Sequence, residues 1–203
     1  MTRAVPPPIH DTLDWYSTHA QRFAAEADAV DLSALREEFL ALLPAGARVL
    51  DVGCGSGRDA VAFLRAGCAV TAMEPTEALA RYAEAALGRA VRREMVQELD
   101  DIEAHEGVWC CASLLHVPTE ALAEVMARLG RALVVGGVLY ASFKRGEGER
   151  VVEGRFFHDE TAASLTARLE AAGLGVLRVW ETPDARPTQA GMWWVNGLAR
   201  RVR

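Results

Sequence analysis

RVLDVGCGSGRDAVAFL, residues 48–64, decides how this chain folds. A short apolar run broken only by Asp51 passes into three alternating glycines, Gly53, Gly55 and Gly57, after which the apolar spacing turns helical. That pattern is a strand, a tight turn and a helix. Glycine is needed where a turn takes φ values that a side chain forbids, or where backbone must approach a ligand or a neighbouring strand. Packing alone also puts one or two glycines in many such turns. Two acids favour a ligand: Asp51 precedes the first glycine, and Glu74 follows Gly53 by 21 residues, closing a second apolar run over 68–73. An ionised acid there can accept hydrogen bonds from both hydroxyls of a ribose. Arg58 stands where a dinucleotide fingerprint wants Gly or Ala, so a pyrophosphate fits less well.

Upstream, residues 1–14 read as flexible, with Pro6, Pro7 and Pro8 holding 1–10 extended and nothing packing before Trp15. Helices are predicted over 15–27 and 32–43, the second stopped by Pro44, so that 15–43 forms a helical lid on the ligand edge. Downstream, helix 59–66, strand 69–73 and helix 77–87 continue an alternation that implies parallel strands with right-handed crossovers. A weaker strand over 93–97 precedes an acidic turn, and strand 107–112, helix 119–132 and a strand over 133–143 broken at Gly136 and Gly137 follow. Helix 160–172 ends at Gly173. Two apolar runs, 174–180 and 192–198, have no room for a helix between them and must pair antiparallel. The expectation is a single α/β domain over 1–203, with a mixed sheet of seven strands and helices on both faces.

The 203 residues give room for one substantial core, and 51% hydrophobic content marks a globular chain. A net charge of −6 provides no general field for polyanions, which sets nucleic acid aside as a main partner. No apolar run approaches membrane-spanning length and no signal-peptide core opens the chain, so a cytoplasmic location is expected. Cys54, Cys68, Cys110 and Cys111 lack metal-ligand spacing and lie in or beside apolar runs; they read as small core residues in a reducing compartment, with no metal site.

A parallel sheet ending in an antiparallel hairpin, with a GxGxG first turn and an acid closing the second strand, resembles the class I S-adenosylmethionine-dependent methyltransferases. Within them it looks similar to a small bacterial group of the tellurite-resistance type. The resemblance runs over 15–199 and is carried by DVGCGSGRDA at 51–60, WCCASLLHVP at 109–118, GGVLYASFKRGEGE at 136–149 and GRFF at 154–157. It implies a Rossmann-like fold, S-adenosylmethionine as cofactor and methyl transfer to a small-molecule acceptor. By that resemblance Gly53, Gly55 and Gly57 would pass beneath the methionine moiety, with Asp51 positioning the loop. Glu74 would hold the ribose hydroxyls, Pro75 would lie along the adenosine, and Glu98 with Leu99 would flank the adenine. Ala112 and Ser113 would face the methionine amino group and the donor sulfur. Tyr16, Ala20 and Phe23 match the YxxxAxxY helix that closes over the cofactor in that group, with His19, Phe23 and Ala27 standing where Asn, Tyr and Thr are usual.

His116 is the candidate catalytic residue, because a group titrating near neutrality at the edge where open parallel sheets bind ligands can orient or deprotonate an acceptor. Capping the following helix is its other possible role. Lys144 and Arg155 are candidate substrate-binding cations for an acceptor with a carboxylate or similar anion. For them and Arg145, the alternative is salt bridging to Glu147, Glu149 and Glu153. Trp15, Trp193 and Trp194 belong either to the core or to an acceptor pocket. A sulfonium donor carries the difficult chemistry itself, so alignment and water exclusion suffice and no dyad or triad is required. A nicotinamide-dependent oxidoreductase and a non-catalytic S-adenosylmethionine-binding regulator are the rival functions.

Overall fold

The apolar run ahead of the glycines is a buried strand, β1 (Arg48–Val52), lying parallel between β2 (Ala69–Met73) and β3 (His105–Cys110). The computed structural model describes residues 7–186 and 189–203. Its main sheet has six strands in the order β2-β1-β3-β4-β8-β7. β4 (Leu133–Lys144) is parallel to β3, and β8 (Trp193–Arg201) runs antiparallel both to β4 and to β7 (Leu174–Pro183). Two helices precede the sheet, α1 (Pro7–Asp28) and α2 (Ser33–Leu40). The crossovers are α3 (Arg58–Arg65), α4 (Glu77–Leu87), α5 (Thr119–Ala132) and α6 (Ala162–Ala171).

Because side chains alternate along a strand, neighbours in sequence serve opposite cores. Leu50, Val108 and Leu139 pack with Leu122, Met126 and Leu165 of α5 and α6. Val49, Trp109 and Tyr140 pack with Phe39, Phe63 and Ala83 on the other face. Trp109 is the hub there, stacked on Tyr140 at 3.9 Å and edge-on to Phe63 at 5.3 Å. Strands buried on both faces explain the near-continuous apolar runs from which the parallel part was read.

Three expectations are corrected, and one element is added that the sequence did not signal. Residues 7–10 are the first turn of α1 rather than an extended lead: Ile9 and Thr12 are buried, and Thr12 Oγ1 accepts the Phe156 N–H at 2.9 Å. Proline suits a first helical turn, whose N–H groups have no intrahelical acceptor. Residues 1–6 lie outside the described ones. The strand expected over 93–97 does not form; one parallel bridge from Met73 to Arg92 gives way to a 3-10 turn, Val96–Glu98. Arg92 is drawn to Glu94 and Asp101, and Arg93 to Glu77 and Glu84, so ion pairs rather than a sheet ladder set this stretch and the main sheet has six strands, not seven. β4 runs unbroken through its glycines, the irregularity being taken up as a register shift against β3 with Gly136 at φ +86°. Finally, residues after β4 form a separate hairpin, β5 (Gly148–Val152) and β6 (Arg155–Asp159), turning through Glu153 at φ +51° and Gly154 at φ +80°. No helix among the described residues is long and apolar enough to cross a membrane.

Candidate cofactor and acceptor site

A cavity of about 420 Å³ opens over the C-terminal ends of β1, β2, β3 and β4, where ligands bind in open parallel sheets. Its other walls are α1, the β5-β6 hairpin and the segment after β7. The three glycines turn out to serve three purposes. Gly53, at φ +68°, borders the cavity and sits so close to Ser113 that an added Cβ would lie 2.6 Å from the serine Cβ. Gly55, at φ +58°, also borders it and donates its N–H to Glu74 Oε2 at 3.0 Å. Gly57 does not line the cavity; an added Cβ would lie 3.0 Å from Ala83 Cα, so its lack of a side chain lets α3 start against α4.

Glu74 is buried, and its other oxygen accepts the Thr76 N–H at 2.9 Å. Burial raises its pKa against the pull of these two N–H groups. Asp51 holds its proton well above the usual carboxylate range, chiefly through burial and then through the charge of Asp59. Its Oδ2, like Ser113 Oγ, is buried with no partner among the described residues. Two unsatisfied polar atoms beside the bare backbone of Gly53 and Gly55 form a cradle that suits the amino-acid end of S-adenosylmethionine, which offers a charged donor and carboxylate acceptors. Asp59 is opposite in character: burial works against its charge, yet Arg58, Arg36 and the Trp109 indole hold its pKa below the usual value. Arg58 also donates to Ala27 O at 2.8 Å, and Ser56 Oγ donates to Asp28 Oδ1 at 2.6 Å. The residue that argued against pyrophosphate thus fastens the end of α1 to the glycine turn.

Pro75, Ala112 and Ser113 line the cavity, with Ala112 at φ +54°, an uncommon conformation for a residue with a side chain. Glu98 and Leu99 do not. The 3-10 turn brings Val96 and Gln97 to the wall instead, while Glu98 folds back onto the Met95 N–H and Leu99 enters the core. Nothing in the residue types of 96–99 distinguished these two pairs.

On the opposite side, Tyr16, His116 and Arg155 come together. Tyr16 Oη lies 2.9 Å from His116 Nε2, and His116 Nδ1 lies 2.6 Å from Phe156 O. Burial, with a smaller contribution from Arg155, pushes the His116 pKa down to about 4, so it is neutral at physiological pH rather than poised near it. The Arg155 guanidinium stacks over Trp15 at 4.0 Å; among the described residues its one ion pair is a 3.4 Å contact to the exposed Glu153, and its Nε is buried without a partner. Lys144 lines the cavity but is already paired, at 2.8 Å, with Asp184. Arg145 pairs with Glu181, and Glu149 accepts the Thr119 N–H, so of the acids flanking the cations in sequence only Glu153 meets one of them. Trp194 lines the cavity, Trp193 is more than a third exposed, and Trp15 covers Arg155. Asp184, Arg186 and Met192 complete this wall without any sequence signal, because they arrive from a loop far along the chain. Cys54 and Cys111 also reach the cavity, but burial pushes their thiols up, Cys111 to about 12, so neither is a nucleophile at neutral pH.

A family model described as a methyltransferase domain matches residues 49–137. A ubiquinone biosynthesis O-methyltransferase of Thiobacillus denitrificans is 36% identical over 105 residues, 48% of this chain and 44% of that protein. A ubiquinone biosynthesis O-methyltransferase of Xanthomonas campestris pv. campestris is 32% identical over 157 residues, 68% of this chain and 65% of that protein. The chain therefore spans about half to two thirds of the length of these curated relatives. A Burkholderia thailandensis 1,6-didemethyltoxoflavin-N1-methyltransferase, solved with bound 1,6-didemethyltoxoflavin and S-adenosylhomocysteine, superposes with a TM-score of 0.81 at 25% identity, covering 100% of this chain and 94% of that one.

Proposed function

We propose, from the premise that the chain belongs to the class I S-adenosylmethionine-dependent methyltransferases, that it methylates a small acceptor carrying an acidic or anionic group. The observation that carries this is one cavity with two chemically different ends: a glycine and carboxylate cradle at the strand ends, and an under-neutralised arginine beside a tyrosine-histidine pair. When bound, S-adenosylmethionine supplies an electrophilic methyl on a sulfonium. The chain has to align the acceptor with that methyl and exclude water. In this reading Gly53, Gly55, Asp51, Ala112 and Ser113 hold the methionine end, Glu74 the ribose, and Pro75 with Val96 and Gln97 the adenosine. α1 and α2 act as the lid of a single domain, and Tyr16 lies where cofactor and acceptor meet. An acceptor other than nucleic acid suits the net charge of −6, and we propose a cytoplasmic setting.

The deciding experiment is incubation of the purified chain with a metabolite extract and isotopically labelled methyl donor, followed by fractionation of labelled products. Two variants test the two ends. Glu74→Gln removes the charge while keeping a carbonyl oxygen, and calorimetry with S-adenosylhomocysteine should show affinity falling roughly ten- to hundredfold, the value of a hydrogen bond to a charged group. A change below about twofold would make Glu74 a clasp for Gly55 and Thr76 only. With an acceptor in hand, Arg155→Ala should raise its KM about tenfold or more and leave cofactor affinity unchanged. An uncharged acceptor with unchanged KM would sink the anion reading and leave methyl transfer standing.

A further inference from the structure

Tyr16 and His116 meet from segments far apart in the chain, α1 and a 3-10 turn (Leu114–His116) after β3. Elimination places their hydrogens. A backbone carbonyl only accepts, so the 2.6 Å contact with Phe156 O puts the imidazole hydrogen on Nδ1. Nε2 is then a lone pair, and at 2.9 Å Tyr16 donates its single hydrogen to it. Tyr16 Oη is left with lone pairs only, and the nearby Arg155 charge favours negative character there. A hydroxyl or N–H entering this end of the cavity meets a hydrogen-bond acceptor. A group without hydrogen leaves that lone pair unsatisfied, which is costly in a dry site.

We infer that Tyr16 is a catalytic residue on the acceptor side, taking the proton of the methylated nucleophile while passing its own to His116, so that the site selects nucleophiles that carry hydrogen: hydroxyls, primary or secondary amines, or ring N–H groups. The inference rests on the methyl-transfer reading. In the step, the nucleophile's lone pair bonds the methyl carbon and the carbon–sulfur bond breaks with its pair staying on sulfur. The nucleophile's proton goes to Tyr16 Oη, the Tyr16 proton goes to His116 Nε2, and the imidazolium later releases a proton to water. A positive charge leaves sulfur as one appears on the imidazole, so the net charge of the site is unchanged. The low basicity of His116, from burial and Arg155, keeps it unprotonated before the step and makes it shed the proton after it. Of the charged groups facing Tyr16, Arg155 and Arg186 favour negative character on Oη and Glu74 opposes it.

The test uses the full chain, S-adenosylhomocysteine as binding probe and labelled methyl donor with extract as assay. Products methylated at an oxygen or nitrogen that bore hydrogen in the acceptor are expected. Methylation of a thioether or tertiary amine would overturn the inference and spare methyl transfer, whereas no labelled product from any extract would remove both. On the acceptor found, Tyr16→Phe should lower kcat about a hundredfold, as for loss of a proton-transfer group, with affinity for the probe held within about threefold. Equal losses of affinity and turnover would make Tyr16 a cofactor contact and overturn the inference. His116→Gln, whose amide oxygen can take the Tyr16 hydrogen bond but not its proton, should fall as far as Tyr16→Phe. Rescue by that glutamine would reduce His116 to a positioning residue and end the relay.

Discussion

A Gly55→Val chain is expected to fold and to give no binding heat with S-adenosylmethionine or S-adenosylhomocysteine at concentrations that saturate the parent. At φ +58° a side chain brings backbone strain of about 1–3 kcal/mol. The new Cβ itself meets only the edge of the Phe23 ring, 3.4 Å away, which has room to give. The fold therefore survives, while the valine methyls stand in the cavity beside Glu74, on ground the cofactor must cover. Gly57→Val makes the contrast. Its Cβ would lie 3.0 Å from Ala83 Cα, which is helix backbone and not free to move, and its φ is +87°. Overpacking added to strain predicts a melting temperature lower by roughly 5–15 °C. Its loss should be of stability rather than of a binding site. Full binding by a folded Gly55→Val chain would take the cofactor away from this turn.

The contrast also shows where sequence reading stops. Three glycines at equal spacing are equal as letters; Ser113, Glu74 and Ala83 tell them apart, and all three come from other elements. The elements read to the residue, Ala69–Met73, Glu77–Leu87 and Thr119–Ala132, each bury apolar side chains at one period between clear breakers. Where tertiary ion pairs decide, the reading failed: Arg92 turns to Asp101, and the seventh strand is lost. The β5-β6 hairpin was invisible for a related reason, since β5 is mostly exposed and shows no buried alternation. His116 was legible as a residue at the ligand edge, but its neutrality comes from burial and, to a smaller extent, from Arg155, 39 positions further on, against the opposing pull of the Phe156 carbonyl. Local charge was the poorest guide of all. Lys144 lies next to three acids in sequence and pairs with none of them.

Its actual partner supplies the other large effect: Asp184→Ala is expected to cost about 3–5 kcal/mol, the range for removing one member of a buried ion pair, or roughly 6–20 °C in melting temperature. The Asp184 side chain is 2% exposed and holds four groups at once. Oδ2 accepts from Lys144 Nζ at 2.8 Å, Arg186 Nη2 at 2.6 Å and the Trp194 indole at 3.0 Å, and Oδ1 accepts the Arg186 backbone N–H at 3.0 Å. Without it Lys144, 8% exposed, is a buried cation left with the Trp194 ring at 4.3 Å. Burial acts against the Asp184 charge, yet hydrogen bonds from Arg186 and Lys144 hold its pKa below the usual range. For Lys144 the balance runs the other way: burial lowers its pKa by more than the bond to Asp184 raises it, and the charges of Arg186 and Arg150 add to the lowering. A carboxylate depressed in the fold stabilises fully above its unfolded pKa, about 3.9, and loses that stabilisation as pH falls toward the folded value. The gap between parent and Asp184→Ala in urea melts should therefore be widest near neutral pH and shrink below about pH 4. Lys144→Met in the Asp184→Ala background should recover part of the loss, since it removes the stranded cation. If instead Asp184→Ala melts with the parent and Lys144→Met raises the acceptor's KM, the lysine is a free substrate ligand, and the anion site extends beyond Arg155.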